Sequence, residues 1–444
     1  MDTKSYQGKK VLVIGLGVSG RSAARYLVDR GAHVLGVDGD RDLLNGNQEI
    51  QELRQKGLHT FHETEQRNID DCDFVVVSPG VPQDNAWYSS ARNACKEVIG
   101  EIELACRHLT QPFIGITGTN GKTTVSLLVG EVLGQSGKPA RVLGNAGIPL
   151  TSEISGLQDE IIVCELSSYQ LETMQSKVID VGVITNVTPD HLDRYPSLEE
   201  YAAAKIRMRH CLKPGAPLYV EQATVDRYQT HFGAFKPKTF GYTEDCDIFT
   251  DKTTVFNKEN IEFLLPIPYR NKTSHDLENI MAAFAVCCEM GVEPEDFGRV
   301  LATFKKPPHR IEFVRKFKGV HFYNDSKGTN IDAVIRAVES MDGQVVLIAG
   351  GLDKGTSYAS WLEAFKEKVK CICAIGQAKE KIYEELSPEF RIKTCNSLES
   401  AIKYASTIAK EGEHVLLSPG CASFDMFDNY EHRGEEFKRI VQVL

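Results

Sequence analysis

Residues 113–124 read FIGITGTNGKTT, and helix-forming sequence follows as far as Leu133. Phe113–Ile116 is an apolar strand, Thr117-Gly118-Thr119-Asn120-Gly121 a glycine-rich turn, and Lys122-Thr123-Thr124 the opening of a helix. Glycines, a lysine and two hydroxyls at a strand-to-helix junction make an anion nest suited to a triphosphate. Lys122 would neutralise the β- and γ-phosphates, and Thr123 or Thr124 would offer an oxygen to Mg²⁺. The spacing departs from the common phosphate loop G-x-x-x-x-G-K-[ST], because Ile116 stands where the first glycine is expected.

The same alternation of short β-branched runs with helical stretches extends over the chain, which predicts α/β architecture with mostly parallel sheets. At ~100–200 residues per domain, 444 residues point to about three domains. One joint is expected around Gly100 to Pro112, where a helix-like EIELACRHL ends and a new strand, PFIGIT, begins, and another at Pro307–Pro308, where two prolines forbid a continuing helix. This places domains at 1–100, 101–306 and 307–444.

Composition narrows the function classes. The net charge of −10 argues against a nucleic-acid partner, and it leaves anionic substrates to a few local cations. No apolar run approaches the ~18–20 residues of a membrane span. The opening MDTKSYQGKK lacks the apolar stretch of a secretory signal, so a cytoplasmic protein is expected. The 12 cysteines are dispersed with no C-x-x-C, which predicts buried free thiols rather than zinc or disulfides.

Upstream, KVLVI (10–14) runs into Gly15-x-Gly17-x-x-Gly20, a helix follows through Leu27, and the strand HVLGVD ends at Asp38. This is a Rossmann-like arrangement and predicts a nucleotide diphosphate on the glycine turn. A further strand, DFVVVS, ends in Ser78-Pro79-Gly80-Val81 at the same sheet edge. Taken alone, the segment reads as a nicotinamide-dependent oxidoreductase, or as a glycine turn needed only for close helix–sheet packing.

Downstream, the apolar strand Ile161–Cys164 ends at Glu165, a carboxylate at a strand carboxyl end, suited to Mg²⁺ or to holding water. VGVITNV runs into Thr188-Pro189-Asp190-His191-Leu192-Asp193. A histidine between two acids suits metal or proton work, or simply a solvated loop. Ser197-Leu-Glu-Glu200 is a capping box for a helix that carries Lys205 beside Tyr201, Ala202 and Met208. A lysine on that face either snorkels to water or is held neutral by burial, and a neutral amine can take up CO₂ as a carbamate, a carboxylate-like metal ligand.

TGTNGKTT, CELSSYQLE, TNVTPDHLDRY and YAAAKIR occur in that order, followed by PPHRIE, NDSKGTN, GGLDKG and LSPGCASFD. Together they resemble the Mur ligase family, the ATP-dependent amide-forming enzymes of peptidoglycan precursor synthesis, over essentially the whole chain. GLGVSG with a later SPGV is similar to the member that adds D-glutamate to UDP-N-acetylmuramoyl-L-alanine. The chain has no DNPR motif of the diaminopimelate-adding member. Folylpolyglutamate synthases share the middle domain but lack such an N-terminal domain.

The resemblance implies an N-terminal Rossmann-like domain for the UDP substrate, a central P-loop-type ATP domain, and a C-terminal Rossmann-like domain for the amino acid, working as a monomer. It turns the first glycine turn into a UDP site, with Gly17, Val18, Ser19, Asp38, Ser78, Gly80 and Asn145 as contacts. Gly39-Asp40 departs from relatives, which often place a hydroxyl residue and Arg there. Gly118, Thr119, Asn120, Gly121, Lys122, Thr123, Thr124, Asn279, Arg310 and Asp325 are implied as ATP contacts; at Asp276 relatives often have Asn. One Mg²⁺ would be held by Thr123 and Glu165, a second by His191 and carbamylated Lys205, with Lys122, Glu165, His191 and Lys205 as the catalytic set. Lys327, Thr329, Lys354, Ser423, Phe424 and Tyr430 would receive D-glutamate.

Overall fold

A computed structural model describes residues 6–65, 69–145, 147–192, 194–259, 261–270 and 275–444. The chain forms two compact units: residues 1–186, 202–271 and 278–303 make the first, and residues 187–201, 272–277 and 304–444 the second.

The first unit carries two sheets. One is five-stranded and parallel, in the order His59–His62, His33–Asp38, Lys10–Ile14, Phe74–Val77, Val98–Gly100. Ile14 is in register with both Val37 and Val77, so the glycine turn, Asp38 and Ser78 emerge from one sheet edge. The other sheet is nine-stranded, parallel except where Thr254–Asn257 runs antiparallel to both of its neighbours. Third from one edge, Phe113–Thr117 lies between Ile161–Glu165 and Val181–Ile184. All three strands are buried along their whole length, as parallel strands covered on both faces must be, which is why they read as unbroken apolar runs. The register pairs Ile116 with Glu165, Glu165 with Gly144, and Thr117 with Ile184, so the phosphate-loop turn and the Glu165 carboxylate share one carboxyl edge.

The stretch Gly100 to Pro112, expected as a joint, contains the helix Glu101–Cys106, and every residue of that helix is buried. Glu101 accepts from the Thr151 amide at 2.6 Å and the Thr151 hydroxyl at 2.7 Å. Glu103 accepts from the amides of Gln175 and Ser176 at 2.8 and 2.9 Å and from the Ser176 hydroxyl at 2.8 Å. A buried carboxylate is tolerable only with such donors. Burial still pushes the Glu101 carboxyl up from its ordinary value, against the Thr151 donors.

The second unit has a six-stranded sheet in the order Glu312–Phe317, Val320–Asn324, His414–Leu417, Val345–Gly350, Val369–Ile375, Ile392–Thr394. The first pair is an antiparallel hairpin and the rest are parallel. Helices pack on both faces, Ile331–Glu339 with Ser360–Ala364 on one and Leu398–Ile408 with Tyr430–Gln442 on the other. All twelve cysteines are free thiols. Among the described residues no helix is long and apolar enough to cross a membrane.

Candidate functional site

The phosphate loop is built by two glycines in left-handed backbone, Gly118 at φ +144° and Gly121 at φ +89°. A side chain on Gly118 would run into the Thr185 hydroxyl, and one on Gly121 into the Asn279 amide. The loop is therefore closed against the next strand and against Asn279. Thr119 and Asn120 donate their backbone N–H groups to Asn186 O and Asn186 Oδ1, both at 2.9 Å. The Thr185 hydroxyl and the Asn186 amide donate to Asn120 O at 2.6 and 3.1 Å. Thr185 and Asn186 were not singled out from the sequence; the visible signal is two polar residues ending the apolar strand VGVI.

Gly121 caps the helix Lys122–Gln135. The Lys122 Nζ folds back to donate to Gly118 O at 2.9 Å and Thr119 O at 2.8 Å. Lys205 comes from the helix Leu198–Ile206 and does not snorkel: it is 1% exposed and donates to the same Gly118 O at 2.7 Å. Thus two lysines converge on one carbonyl. Thr123 and Thr124 are buried in the first helical turn.

Gly121→Ala is expected to cost about 1–3 kcal/mol of stability, because the left-handed backbone strains any side chain, and to displace Asn279. Thermal denaturation with and without ADP checks it; an unchanged midpoint and unchanged nucleotide shift would contradict it.

Glu165 is 2% exposed, and its Oε1 accepts from the Asn145 amide at 2.7 Å. Among the described residues no group of three His, Cys, Asp or Glu side chains is placed to hold a metal unaided. The Glu165 carboxylate ends a strand at this edge and the Thr123 hydroxyl opens the helix that follows the neighbouring strand; both are hard oxygens. They fit Mg²⁺, which takes few protein ligands and completes its shell with phosphate oxygens and water.

Asn145 also lines a cavity of about 500 Å³ over the first sheet's carboxyl edge. Gly17, Val18, Ser19, Asp38, Ser78 and Gly80 all line it too, together with Gly144 at the end of a strand of the second sheet, Gly147 and Pro149 in the turn after it, and Gln170 in the helix Ser168–Thr173. Sequence reasoning missed those four, although GNAGIP and CELSSYQLE contain them. The glycine turn divides its labour. Gly20 is required for packing, since a side chain there would strike Gly15 O. A side chain at Gly17 would meet nothing within 4 Å, so packing does not account for that glycine. Gly17 caps the helix Val18–Val28 without a side-chain bond, leaving first-turn N–H groups for an anion. Asp38 accepts from Leu16 N at 2.6 Å and Asp40 N at 2.9 Å, and Ser78 donates its hydroxyl to Gly15 O at 2.7 Å. Both hold the turn in shape.

In the second unit His191 sits in left-handed backbone at φ +55°, its Nε2 3.7 Å from Asp190. Asp193, the other flanking acid, lies outside the described residues. Asp190 accepts from Lys354 and from the Asn330 amide, each at 3.2 Å, and from His191 N at 2.9 Å. Burial alone would raise this carboxyl, but Lys354 and His191 outweigh it and hold it at about 2. Lys354 thus already faces a carboxylate.

Asp325 accepts from the Ser418 hydroxyl at 2.6 Å and from Ile311 N at 3.2 Å; burial pushes its carboxyl up to about 7 despite these donors and Arg310. Arg310 follows His309, which has left-handed backbone at φ +63° and receives the Asn324 amide on Nδ1 at 2.9 Å. The Lys327 ammonium stands 4.9 Å over the Tyr430 ring, bringing two of the D-glutamate candidates together. Thr329 is half-buried in the same loop and Ser423 is buried. Phe424 is 70% exposed, so it does not serve the core. Asp276 accepts from Lys306 at 2.6 Å.

Arg433 was missed. It is 1% exposed, and it donates to the Ser326 hydroxyl at 2.9 Å, Ser326 O at 2.8 Å and Cys421 O at 3.2 Å. It ties the loop of Lys327 and Thr329 to the loop of Ser423, and burial lowers its pKa to about 10.

Three domain families match the chain in succession. The Mur ligase MurD-like N-terminal domain matches residues 9–100, the Mur ligase middle domain 116–287, and the Mur ligase glutamate ligase domain 309–421. A UDP-N-acetylmuramoylalanine–D-glutamate ligase from Protochlamydia amoebophila is 51% identical over 445 residues, covering 100% of both chains. One from Caldicellulosiruptor saccharolyticus is 38% identical, covering 98% of this chain and 99% of its own. Among solved structures, a MurF ligase from Thermotoga maritima in complex with ADP superposes with a TM-score of 0.60 at 18% identity, covering 100% of this chain and 97% of its own.

Proposed function

The chain belongs to the Mur ligase family, and on that premise we propose that it joins D-glutamate to UDP-N-acetylmuramoyl-L-alanine at the expense of ATP. It would do so as a cytoplasmic monomer, in peptidoglycan precursor synthesis. The observation that carries the reading is the 2.7 Å bond from Asn145 to Glu165. It joins the wall of the glycine-turn cavity to the carboxyl edge that bears the phosphate loop, where a substrate carboxylate can meet a γ-phosphate.

In this mechanism the carboxylate of the UDP substrate attacks the γ-phosphorus and ADP leaves. The amine of D-glutamate then attacks the acyl phosphate carbon, inorganic phosphate departs, and the amine loses a proton. Both steps gather negative charge, so the work lies in placing cations and N–H donors against it. Lys122 and the amides at the start of its helix would hold the β- and γ-phosphates, and Asn279, packed against Gly121, the adenine. Arg310 and Asp325 are assigned to ATP by the resemblance, as are Lys327, Thr329, Lys354, Ser423, Phe424 and Tyr430 to D-glutamate. Mg²⁺, when bound, would screen phosphate charge. Thr123 and Glu165 are the ligands proposed for one ion, and carbamylated Lys205 and His191 those for a second. The task division follows 1–100 for the UDP substrate, 101–306 for ATP and 307–444 for the amino acid.

Phosphate release from ATP, measured with UDP-N-acetylmuramoyl-L-alanine and a panel of amino acids, tests the proposal. Release is expected only with D-glutamate. Equal release with another amino acid, or release without the UDP substrate, overturns it.

A further inference from the structure

The glycine-turn cavity has a side chamber of about 190 Å³ that shares Gly15, Asp38, Gly80 and Val81 with it. The chamber's own wall includes Gly39, Glu63, Asn85 and Trp87. Its electrostatics differ from those of the main cavity. Among the described residues no lysine or arginine lines it, and two carboxylates, Asp38 and Glu63, do. A phosphate is repelled from such a chamber and drawn instead to the helix start at Val18. A nucleoside diphosphate in this cavity would therefore lie with its phosphates at the helix and its neutral base toward the chamber.

The two carboxylates are not equivalent. Asp38 engages both of its oxygens with the backbone N–H groups of Leu16 and Asp40. The Glu63 carboxylate packs against the bare Cα of Gly39, where a Cβ would stand 2.8 Å from Oε1. The backbone of Glu63 is fixed on both sides: its N–H donates to Asp38 O at 3.1 Å, and its carbonyl accepts from Trp87 Nε1 at 2.8 Å. Trp87 is itself buried edge-on against Phe61, with centroids 5.1 Å apart. Asn85 uses its Oδ1 to cap the helix Ala86–Asn93, accepting from Trp87 N and Tyr88 N at 3.0 and 3.2 Å. Its Nδ2 is then the group it can offer a ligand. The chamber thus presents one anionic acceptor and one amide donor.

We propose that Glu63 and Asn85 read the base of the UDP substrate, Glu63 accepting the N3–H of uracil and Asn85 donating to its O4. The inference rests on the UDP-substrate reading above and adds the residues that choose the base. Cytosine has a lone pair at N3 and an amino group at C4, so it sets acceptor against acceptor and donor against donor at this wall. The departure at Gly39 gains a reason as well, since any side chain there would push Glu63 out of the chamber.

Calorimetric titration of the full chain with UDP and with CDP tests it. The native protein is expected to bind UDP about 10- to 100-fold more tightly than CDP, the worth of one hydrogen bond to a charged group. Glu63→Gln, whose amide can face either base, should bring the two affinities within about threefold of each other. Asn85→Asp keeps the helix cap but replaces the donor by an acceptor, and should move the ratio toward CDP by about tenfold. The ratio does not depend on the fraction of protein folded, so instability cannot imitate the result. If Glu63→Gln weakens UDP and CDP equally, the carboxylate serves the ribose or the fold and the base-reading proposal is overturned. If the native protein binds neither nucleotide, the UDP-substrate reading itself fails.

Discussion

Lys122→Met is expected to lower ATP-dependent phosphate release by about 10³-fold or more, the scale on which a cation aimed at transferring phosphate acts. Methionine keeps the unbranched stem and the helix propensity of the first turn and removes the charge together with its two bonds to the Gly118 and Thr119 carbonyls. The loop around it does not depend on that charge for its shape, because Thr185 and Asn186 hold Thr119 and Asn120 through four hydrogen bonds of their own. Thermal denaturation should therefore show a near-native midpoint while turnover collapses. The demand on this lysine is sharpened by the chain's charge of −10, since every proposed substrate is an anion. Steady-state phosphate release at saturating substrates is the measurement. Retention of more than a tenth of native turnover would show that another group carries the phosphate charge.

The phosphate loop was legible because everything that makes it is contiguous: strand, glycines, lysine and hydroxyls follow one another over a dozen residues. The glycine turn was legible for the same reason, and Asn145 was added to its cavity only through the family resemblance. What stayed hidden depends on contacts distant in sequence. Thr185 and Asn186 reach the loop from a neighbouring strand 65 and 66 residues away. Asn85 and Glu63 meet only because their strand and helix ends close on one chamber. The sequence EIELAC, with two glutamates, gives no hint of a fully buried helix, because the donors that make those carboxylates tolerable lie 50 to 73 residues further on. Arg433 resembles any other polar position of an amphipathic terminal helix until the carbonyls of Ser326 and Cys421 are seen around it. The periodicity around Lys205 located its apolar side but could not say whether the amine escaped to water. The acceptor that decides this, Gly118 O, is 87 residues away.

That buried amine carries the second large effect. Lys205→Ala is expected to lose about 10³-fold in turnover and to regain about tenfold or more of it with millimolar formate or acetate, because a freely diffusing carboxylate can occupy the space and restore the missing charge. The substitution should leave the fold standing: Gly118 O still receives Lys122, so no buried acceptor is orphaned. The rescue distinguishes two roles that share a geometry. If Lys205 acts as an ammonium group, it places a second positive charge on a carbonyl already taken by Lys122, and added carboxylates should do nothing. If it acts as a carbamate, formed when the neutral amine attacks CO₂ and releases a proton, the site needs a carboxylate-like anion as a proposed ligand for Mg²⁺. Acetamide has the shape of acetate without its charge, so it fills the cavity without supplying the anion and should not rescue. Native turnover should also fall in buffer stripped of CO₂ and return with bicarbonate. Equal rescue by acetamide and acetate, or near-native activity of the unrescued variant, would rule out the carbamate.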